Sequence, residues 1–487
     1  MQTTHLLFES LERLSAQVVF SVTSAQRLVE VSWNTTDLRL PITASALFRC
    51  DDARSGEVEG DTHTAGLPSP TARGTLIVES SSALRERFYG VTFSECPQLV
   101  ADVFGVTLEA VAPRAAWRFV QEVCVARVGE VEGQVVLERD VEYLHPDAGV
   151  TLAHEPEVRL EVGREAPEAL LDALRALPHL PVVTKYWMAE YHYKRLLRWP
   201  THNDLPGYEY EAKLSVNHLD VYALPAELEG CFEVIERYQT ESVRWYFEGV
   251  DLPSVGRLEK GRVGFRGSRA SLVSKGKKQK LAGGVLKRTE EKSQGLDTWS
   301  LSALEPVALE MRRIKRQIYV LNRANRRVYA ICLDHCEAET RQDPFIQLEI
   351  EYNGLLQIEP EEWGLSFEAQ WRLARSLERR APRAALRCCE RAALFLPAVS
   401  APEEGVVEAL GALTQRLRAE TLTPLVSGEV DPDLEAQVVS EMNELSAALQ
   451  RAYGFKPSEQ TKRQWLAQPP LSALSLGDLS EAHRARR

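Results

Sequence analysis

Charged residues at alternate positions of strand-like segments are the residues of this sequence whose spacing could do chemistry. In residues 208–216, YEYEAKLSV, Glu209, Glu211 and Lys213 lie two apart, between aromatic and aliphatic residues. Successive side chains of a β-strand point to opposite faces, so these three share one face. Carboxylates bind divalent metal ions, and ammonium groups bind phosphate oxygens. Taken alone, however, the pattern is that of an ordinary strand with one solvated face.

Two further acidic strands follow in the sequence. Residues 345–352, FIQLEIEY, place Glu349 and Glu351 on one face and aliphatic and aromatic residues on the other. Residues 328–339, VYAICLDHCEAE, place Asp334 within an otherwise apolar strand. Recurrence of the pattern indicates that the charged faces belong to one sheet and serve a common purpose.

Basic segments lie between these acidic strands. Residues 257–292 contain 12 Lys and Arg against three Asp and Glu, although the whole chain has a net charge of −12. The basic residues at alternate positions of strand-like runs are Arg262 and Arg266, then Lys275 and Lys277, then Arg288 and Lys292.

The next segment, MRRIKRQIYVL, is basic on both faces. Arg313 and Lys315 share one face, and Arg312 and Arg316 share the other. Because a slip of one residue in strand register exchanges the two faces, the pattern leaves open which pair points inward.

A closed antiparallel barrel would give these alternating charges a common interior. Cations that line such an interior are costly unless anions neutralise them, and a triphosphate would supply those anions. Carboxylates beside a phosphate chain would hold Mg²⁺ or Mn²⁺ through oxygen ligands. The pattern therefore predicts a tunnel that holds a phosphate chain and a divalent metal. The alternative is a β-domain whose faces carry ordinary salt bridges.

The order of these strands resembles the CYTH, or triphosphate tunnel metalloenzyme, superfamily. The hallmark of that family is an ExExK strand that opens an eight-stranded antiparallel tunnel, and it matches residues 209–213 here. Six further strands then follow in the family's order: an arginine strand, a lysine strand, an Arg-x-Glu strand, a Lys/Arg strand, an Asp strand and a Glu-x-Glu strand. The resemblance covers residues 205–357.

This resemblance implies metal-dependent hydrolysis of a triphosphate, either inorganic tripolyphosphate or a nucleoside triphosphate. The implied catalytic residues are Glu209, Glu211, Lys213 and Arg316. The implied phosphate-binding residues are Lys213, Arg262, Arg266, Lys275, Arg288, Lys315 and Arg316. The implied ligands of Mg²⁺ or Mn²⁺ are Glu209, Glu211, Asp334, Glu349 and Glu351.

Three other functions remain open at this point. The same architecture serves nucleotidyl cyclases, in which a ribose hydroxyl attacks the α-phosphorus. A non-catalytic sensor would bind a nucleotide or polyphosphate and signal through its flanking domains. An RNA 5′-triphosphatase would use the basic stretch 275–292 to steer the RNA backbone.

The distribution of strand-like and helix-like segments predicts an α+β protein, and the resemblance implies a closed antiparallel eight-stranded tunnel barrel between two other domains. We expect a β-rich N-terminal domain over residues 1–163 and a helical and aromatic junction over 164–204. The tunnel domain would span 205–357, and a helical C-terminal domain would span 364–487. The flanking domains have no predicted role beyond binding a protein partner or self-association.

Composition predicts a cytoplasmic protein with no membrane association. No window approaches the roughly 18 uninterrupted apolar residues of a membrane helix. The N-terminus carries acidic residues where a signal peptide would carry basic ones. Eight scattered cysteines without a CxxC pattern are typical of reduced thiols. The acidic total argues against a general nucleic-acid coat.

Local signals predict several individual elements. A hairpin is expected where two strand-like runs flank a short segment containing Glu132 and Gly133. A C-terminal helix is expected between Asp431 as its N-cap, with Pro432 at its first position, and Gly454 just past its end. Residues 51–75, rich in Gly, Pro, Thr and Asp, are expected to form a loop, and the chain is expected to fray at its C-terminal HRARR.

Overall fold

The chain folds into two compact units. In this computed structural model, unit 1 comprises Met1–His202 and Leu356–Pro424, and unit 2 comprises Asn203–Leu355 and Leu425–Arg487. The structure describes residues 4–35, 42–49, 67–80, 85–146, 149–197, 199–205, 207–216, 224–252, 256–266, 269–294, 301, 309–341, 343–359, 362–396, 399, 405–421 and 430–467.

Unit 1 is built on an antiparallel sheet, which has nine strands within the described residues. Its hydrogen-bonded order is β1-β9-β7-β6-β2-β3-β4-β5, with β8 beside β7. These nine strands are β1 (Thr4–Phe8), β2 (Val19–Thr35), β3 (Ile42–Arg49), β4 (Arg73–Ser80), β5 (Arg85–Thr92), β6 (Val111–Val128), β7 (Val131–Leu144), β8 (Thr151–Glu155) and β9 (Val158–Val162). The two-residue strand β10 (Thr201–His202) is not part of this sheet.

Helices of unit 1 come from both parts of its chain. Leu170 and Leu174, one turn apart, are buried against the apolar residues of β7 and β9. The helices are α1 (Leu11–Ser15), α2 (Cys96–Phe104), α3 (Glu168–Arg175), α4 (Lys185–Leu197), α5 (Phe367–Leu377), α6 (Pro382–Phe395) and α7 (Val406–Thr421).

The predicted hairpin is confirmed, but its turn lies earlier than the expected segment suggests. Strand β6 ends at Val128 and β7 begins at Val131, so Gly129 and Glu130 form a two-residue connection. Gly129 has a φ of 61°, which favours glycine because other residues clash there. Gly133 lies within β7, where it is paired with Ala126.

Unit 2 is built on a second antiparallel sheet. Its hydrogen-bonded order is β15-β16-β11-β20-β19-β18-β12-β13-β14-β17, with β21 beside β11. The strands are β11 (Glu209–Ser215), β12 (Phe232–Leu252), β13 (Gly256–Arg266), β14 (Arg269–Lys275), β15 (Gln279–Lys280), β16 (Leu286–Arg288), β17 (Glu290–Gln294), β18 (Leu309–Asn322), β19 (Arg327–Glu337), β20 (Phe345–Leu356) and β21 (Lys456–Pro457). The helices are α8 (Pro432–Tyr453) and α9 (Lys462–Leu466).

One continuous segment pairs with strands near both ends of this order. Strand β16 pairs with β11, and β17 pairs with β14. Only Thr289 separates β16 from β17. The backbone N–H of Gly276, directly after β14, donates to the carbonyl of Thr289 at 3.0 Å. The segment 286–294 therefore links β11 to β14.

The apolar face of this sheet is covered by α8. Asp431 caps the helix, Pro432 opens it and Gly454 ends it with a φ of 70°, as the sequence predicts. Its buried residues, including Met442 and Leu445, pack in one core with Tyr210 and other apolar residues of β11, β19 and β20. The apolar residues at alternate positions of these strands are thus buried against α8. The charged residues between them therefore point to the other face of the sheet.

The structure confirms the predicted α+β class with antiparallel sheets and helices, and it groups the C-terminal helices differently from the prediction. Helices α5, α6 and α7 belong to unit 1, whereas α8 and α9 belong to unit 2. The reason is physical: the apolar stripe of α8 covers the sheet of unit 2. Residues 164–202 also lie within unit 1.

Two other predictions concern segments that are only partly described. Of the expected loop 51–75, residues 51–66 lie outside the described residues, and Arg73 already begins β4. The C-terminal HRARR also lies outside them.

Among the helices that are described, none is long and apolar enough to cross a membrane.

We expect Leu445→Ala to lower the free energy of unfolding of unit 2 by about 2–5 kcal/mol, because it leaves a cavity between α8 and the sheet. Glu444→Ala, at an exposed position of the same helix, should change it by no more than about 0.5 kcal/mol. Denaturant unfolding followed by tryptophan fluorescence measures both. Equally small effects would contradict the packing of α8 on the sheet.

Candidate functional site

The register of the strands brings the charged residues at alternate positions in unit 2 side by side. Lys213 of β11 lies opposite Glu349 of β20, and Glu211 lies opposite Glu351. Residues directly opposite in an antiparallel pair interact across the strands. We call the following set the charged face: Glu209, Glu211, Lys213, Arg244, Arg262, Lys275, Arg288, Glu290, Arg313, Lys315, Asp334, Glu349, Glu351 and Lys462.

The first carboxylate pair of the charged face is bridged by a guanidinium. Arg288 donates from Nε to Glu209 at 2.7 Å, and its Nη2 lies 2.6 Å from Glu211. Lys275 Nζ lies 2.8 Å from Glu209 and 3.2 Å from Glu290. The ExExK strand, the lysine strand and the Arg-x-Glu strand predicted from the sequence therefore meet at this point.

The second carboxylate pair is bridged by an ammonium. Lys462 Nζ lies 2.6 Å from Asp334 and 2.8 Å from Glu349. Glu349 also accepts from Lys213 at 2.9 Å, and Asp334 accepts from Arg313 at 3.1 Å. All five side chains are buried or nearly so, so these ion pairs are shielded from water and count for more than surface pairs.

Strand β18 turns Arg313 and Lys315 to the charged face. Both are buried, and Lys315 Nζ lies 3.0 Å from Glu351. Arg316 was predicted as a catalytic and phosphate-binding residue, but the structure does not bring it to this cluster. It alternates with Lys315 and therefore lies on the opposite face of the strand, as does Arg312. The sequence could not decide which of Lys315 and Arg316 points to the charged face, because a shift of one residue in strand register exchanges the two faces.

Strand β13 contributes Arg262, whose guanidinium lies 3.8 Å from Glu290. Arg266, also predicted to bind phosphate, ends the same strand and pairs with Arg269 of β14. Its side chain lies outside the described residues. The other predicted site residues all belong to the charged face.

Arg244 and Lys462 belong to the charged face but were not predicted from the sequence. Arg244 stands two residues before Tyr246 in β12, so the alternation rule could have found it had β12 been recognised as part of the sheet. Lys462 gave no signal of any kind, because it lies more than a hundred residues along the chain from its partners, in a short helix.

Burial and neighbouring cations shift the pKa values of the carboxyl groups in different directions. Burial raises the pKa of Glu211 despite the proximity of Lys213. Burial would also raise the pKa of Glu349, but Lys462 and Lys213 hold it well below the usual range. Arg313 and Lys462 likewise outweigh burial and lower the pKa of Asp334. Glu349 and Asp334 are therefore ionised at neutral pH.

The residues fit a divalent metal only in part. Within the described part of the chain, no three His, Cys, Asp or Glu side chains are grouped closely enough to hold a metal by themselves. The five predicted ligands are separated by the cations between them. Glu209 and Glu211, however, both contact Arg288, which brings two hard oxygen donors together. Mg²⁺ typically binds through one or two carboxylates together with substrate phosphates, and this pair fits that requirement.

Comparison with known proteins gives no family assignment. No family model matches the chain, and no curated protein matches it. Solved structures that are similar to it include a candidate adenylyl cyclase from Hippeastrum with a dominant triphosphatase activity, at 16% identity and a TM-score of 0.19, covering 41% of this chain and 95% of that one.

Two more similar structures come from other organisms. The PH1819 protein of Pyrococcus horikoshii OT3 has 14% identity and a TM-score of 0.19, covering 44% of this chain and 90% of that one. An RNA triphosphatase of S. pombe, in complex with the Spt5 CTD, has 13% identity and a TM-score of 0.17, covering 47% of this chain and 95% of that one. Likenesses with TM-scores this low are too slight to support a conclusion about this chain.

We expect the stability advantage of the wild-type protein over Glu349→Gln to depend on pH. The folded protein lowers the pKa of Glu349, so its ionised form stabilises the fold above the unfolded pKa of about 4.3. That advantage should be largest near neutral pH and shrink as the pH falls through the folded pKa. Denaturant unfolding between pH 7 and pH 3 measures it.

The matched control is Glu339→Gln, which removes an exposed carboxylate. Its stability difference from wild type should stay small across the same range. A Glu349→Gln difference that is constant with pH would show that Lys462 and Lys213 do not stabilise this carboxylate.

Proposed function

We propose that unit 2 is a divalent-metal-dependent phosphohydrolase whose charged face binds a triphosphate. The single observation that carries the proposal is a buried charge imbalance. The charged face holds eight cations and six carboxylates, an excess of two positive charges; all lie on strands of one sheet except Lys462, which lies on α9. Burying unneutralised charge is costly, so such a face is suited to a polyanion.

We further propose that the sheet closes into an eight-stranded tunnel around this face. The order of its strands supports closure: β11, β20, β19, β18, β12, β13, β14 and β17 follow one another, and β16 continues β17 back to β11. Arg288 and Glu290 lie two residues apart, on either side of Thr289. Their side chains therefore point to the same face although one ends β16 and the other begins β17. Both of these side chains contact residues of the charged face.

Binding would proceed by exchange of ionic partners. Phosphate oxygens would take over Arg288, Lys213, Lys275 and Lys315 from the carboxylates that hold them, since arginine and lysine bind phosphate as well as carboxylate. The released Glu209 and Glu211 would be able to hold Mg²⁺ or Mn²⁺ beside the chain. A bound metal would neutralise phosphate charge.

Hydrolysis would need little covalent chemistry from the protein. The oxygen of a water molecule would bond to the terminal phosphorus while the bridging P–O bond breaks, giving orthophosphate and a chain shorter by one phosphate. The cations of the charged face would hold the chain in line and stabilise charge in the transition state. These are the two contributions on which phosphoryl transfer depends.

The most informative experiment incubates the protein with tripolyphosphate, ATP, GTP or a 5′-triphosphorylated RNA, each with Mg²⁺ or Mn²⁺. We expect orthophosphate release. Pyrophosphate with a cyclic nucleotide would instead identify a cyclase. Orthophosphate release from the triphosphorylated RNA alone would identify an RNA triphosphatase. Binding without turnover would identify a sensor. No binding and no turnover with any of these would refute the proposal.

We predict that Lys315→Met lowers the rate of orthophosphate release by about 10²–10³, the loss typical of removing one charge-stabilising group. Arg312→Met is the matched control, because Arg312 lies on the opposite face of the same strand and its side chain is 47% exposed. It should retain the wild-type rate. Circular dichroism checks that both variants are folded. Equal losses in both would remove the charged face from the reaction.

A further inference from the structure

The main strands of unit 1 follow the same order as those of unit 2. In unit 1, taken along the chain, they are β1 to β7 and then β8 and β9, which both pair with β7 and together take the eighth place. In unit 2 they are β11 to β14 and β17 to β20, with the short β15 and β16 inserted before the fifth.

In both sheets the hydrogen-bonded order is first, eighth, seventh, sixth, second, third, fourth and fifth, and every neighbouring pair is antiparallel. Consecutive strands are usually neighbours in a sheet. A shared order in which the first strand lies beside the eighth, and the second beside the sixth, therefore indicates a common fold.

The next helix of each unit covers the apolar face of its sheet. In unit 1, Leu174 of α3 packs in one core with Leu6 of β1. In unit 2, Leu445 of α8 packs in one core with Tyr210 of β11. The same face of the first strand is thus buried in the same way in both units.

After this helix, the chain of each unit returns to the first strand. The N–H of Leu180 donates to the carbonyl of Leu7 in β1 at 2.7 Å. The N–H of Ser458 donates to the carbonyl of Lys213 in β11 at 2.9 Å. Both contacts belong to antiparallel pairings, so Leu7 and Lys213 are equivalent positions.

A lysine of the following helix then contacts two carboxylates in each unit. Lys185 of α4 lies 2.9 Å from Glu138 of β7 and 3.9 Å from Glu30 of β2. Lys462 of α9 lies 2.6 Å from Asp334 of β19, and its second carboxylate belongs to β20. The seventh strand supplies one carboxylate in both units, so Lys185 corresponds to Lys462.

The positions of four cations of the charged face carry uncharged residues in unit 1. Counting from Leu7 and from Lys213 across the paired strands gives the correspondences: Leu7 for Lys213, Phe119 for Lys315, Trp117 for Arg313 and Ser32 for Arg244. All four residues of unit 1 are buried. Because phosphate is bound by ammonium and guanidinium groups, this face lacks the groups that would hold a phosphate chain.

Helix α4 packs on the face that lacks those cations. It lies against β6, β7 and β8. The ammonium of Lys185 lies 3.6 Å from the centre of the Phe119 ring. The ring of His192 stacks on Tyr143 of β7, and its Nε2 lies 3.2 Å from Glu155 of β8. A helix with its side chains is about 10 Å across, so it leaves no room for a phosphate chain beside these strands.

We propose that unit 1 is a diverged second copy of unit 2, in which helix α4 occupies the face that corresponds to the charged face. Lys185 supplies the positive charge that the remaining carboxylates of this face require. The chain then has one site for a phosphate chain, on unit 2, and unit 1 has no second active site. The correspondence of the two sheets is independent of the proposed function, whereas the count of one site rests on it.

A double-mutant cycle tests whether α4 lies on this face. We expect Lys185→Met and Glu138→Gln each to lower the unfolding temperature of the full-length protein by at least about 3 °C, because each leaves a largely buried charge without its partner. The double variant should lose less than the sum of the two, since it removes the pair. The control Arg175→Met changes an exposed cation of α3 and should shift the temperature by less than about 1 °C.

Calorimetric titration with tripolyphosphate counts the phosphate sites. It uses the full-length protein in EDTA, so that binding is measured without metal-dependent turnover. We expect one tripolyphosphate per chain, with an affinity that Lys315→Met lowers about 10–100-fold, since a hydrogen bond to a charged group is lost. Lys185→Met, once circular dichroism shows that it is folded, should keep the wild-type affinity and the wild-type rate of orthophosphate release.

The outcomes separate this inference from the proposed function. Additive losses in the cycle would overturn the placement of α4. Two tripolyphosphate molecules per chain, or loss of binding in folded Lys185→Met, would overturn the occupied copy while leaving hydrolysis by unit 2 intact. Absence of any binding would refute the proposed function, and the cycle alone would then decide the inference. Coupling of Lys185 with Glu138 and a single site per chain would support both.

Discussion

Buried cations need anions beside them, and the structure of unit 2 is arranged around that constraint. Arg288 and Lys462 each bridge two carboxylates of the charged face, and Lys213 contacts one carboxylate of each pair. These pairs allow the polypeptide to fold with charge in its interior, and the same cations are the groups that a phosphate chain would bind. Arg244 is buried on the same face, where it is hydrogen-bonded to Tyr246, and burial with the neighbouring Arg262 and Arg313 lowers its pKa to about 9.

The rest of unit 2 fixes the geometry of this face. Helix α8 buries the apolar alternates of β11, β19 and β20, and this fixes the direction in which their charged alternates point. The segment 286–294 holds Arg288 and Glu290 between β11 and β14. Helix α9 adds Lys462 from a distant part of the chain and covers one end with Trp465 and Leu466. Hydrophobic packing therefore decides which charges meet.

The alternation of residues along single strands predicted much of the site. It failed for residues whose position depends on contacts between distant parts of the chain. The two-residue spacing of Glu209, Glu211 and Lys213 was enough to predict a charged strand face, because alternation is a local property of strands. The choice between Lys315 and Arg316 required the register of β18, which only its neighbours set. Lys462 and the membership of α8 in unit 2 depend on tertiary contacts that no local pattern encodes. The caps of α8 at Asp431 and Gly454, in contrast, were fully local and were predicted correctly.

The most direct measurement is a crystal structure of the protein grown with tripolyphosphate and Mn²⁺. We predict a phosphate chain along the charged face, with its oxygens within ion-pair distance of Arg288, Lys213 and Lys315, and anomalous density for Mn²⁺ beside Glu209 and Glu211. A structure in which every ion pair of the charged face persists, and phosphate binds only on the exterior of unit 2, would contradict the exchange of partners on which this mechanism depends.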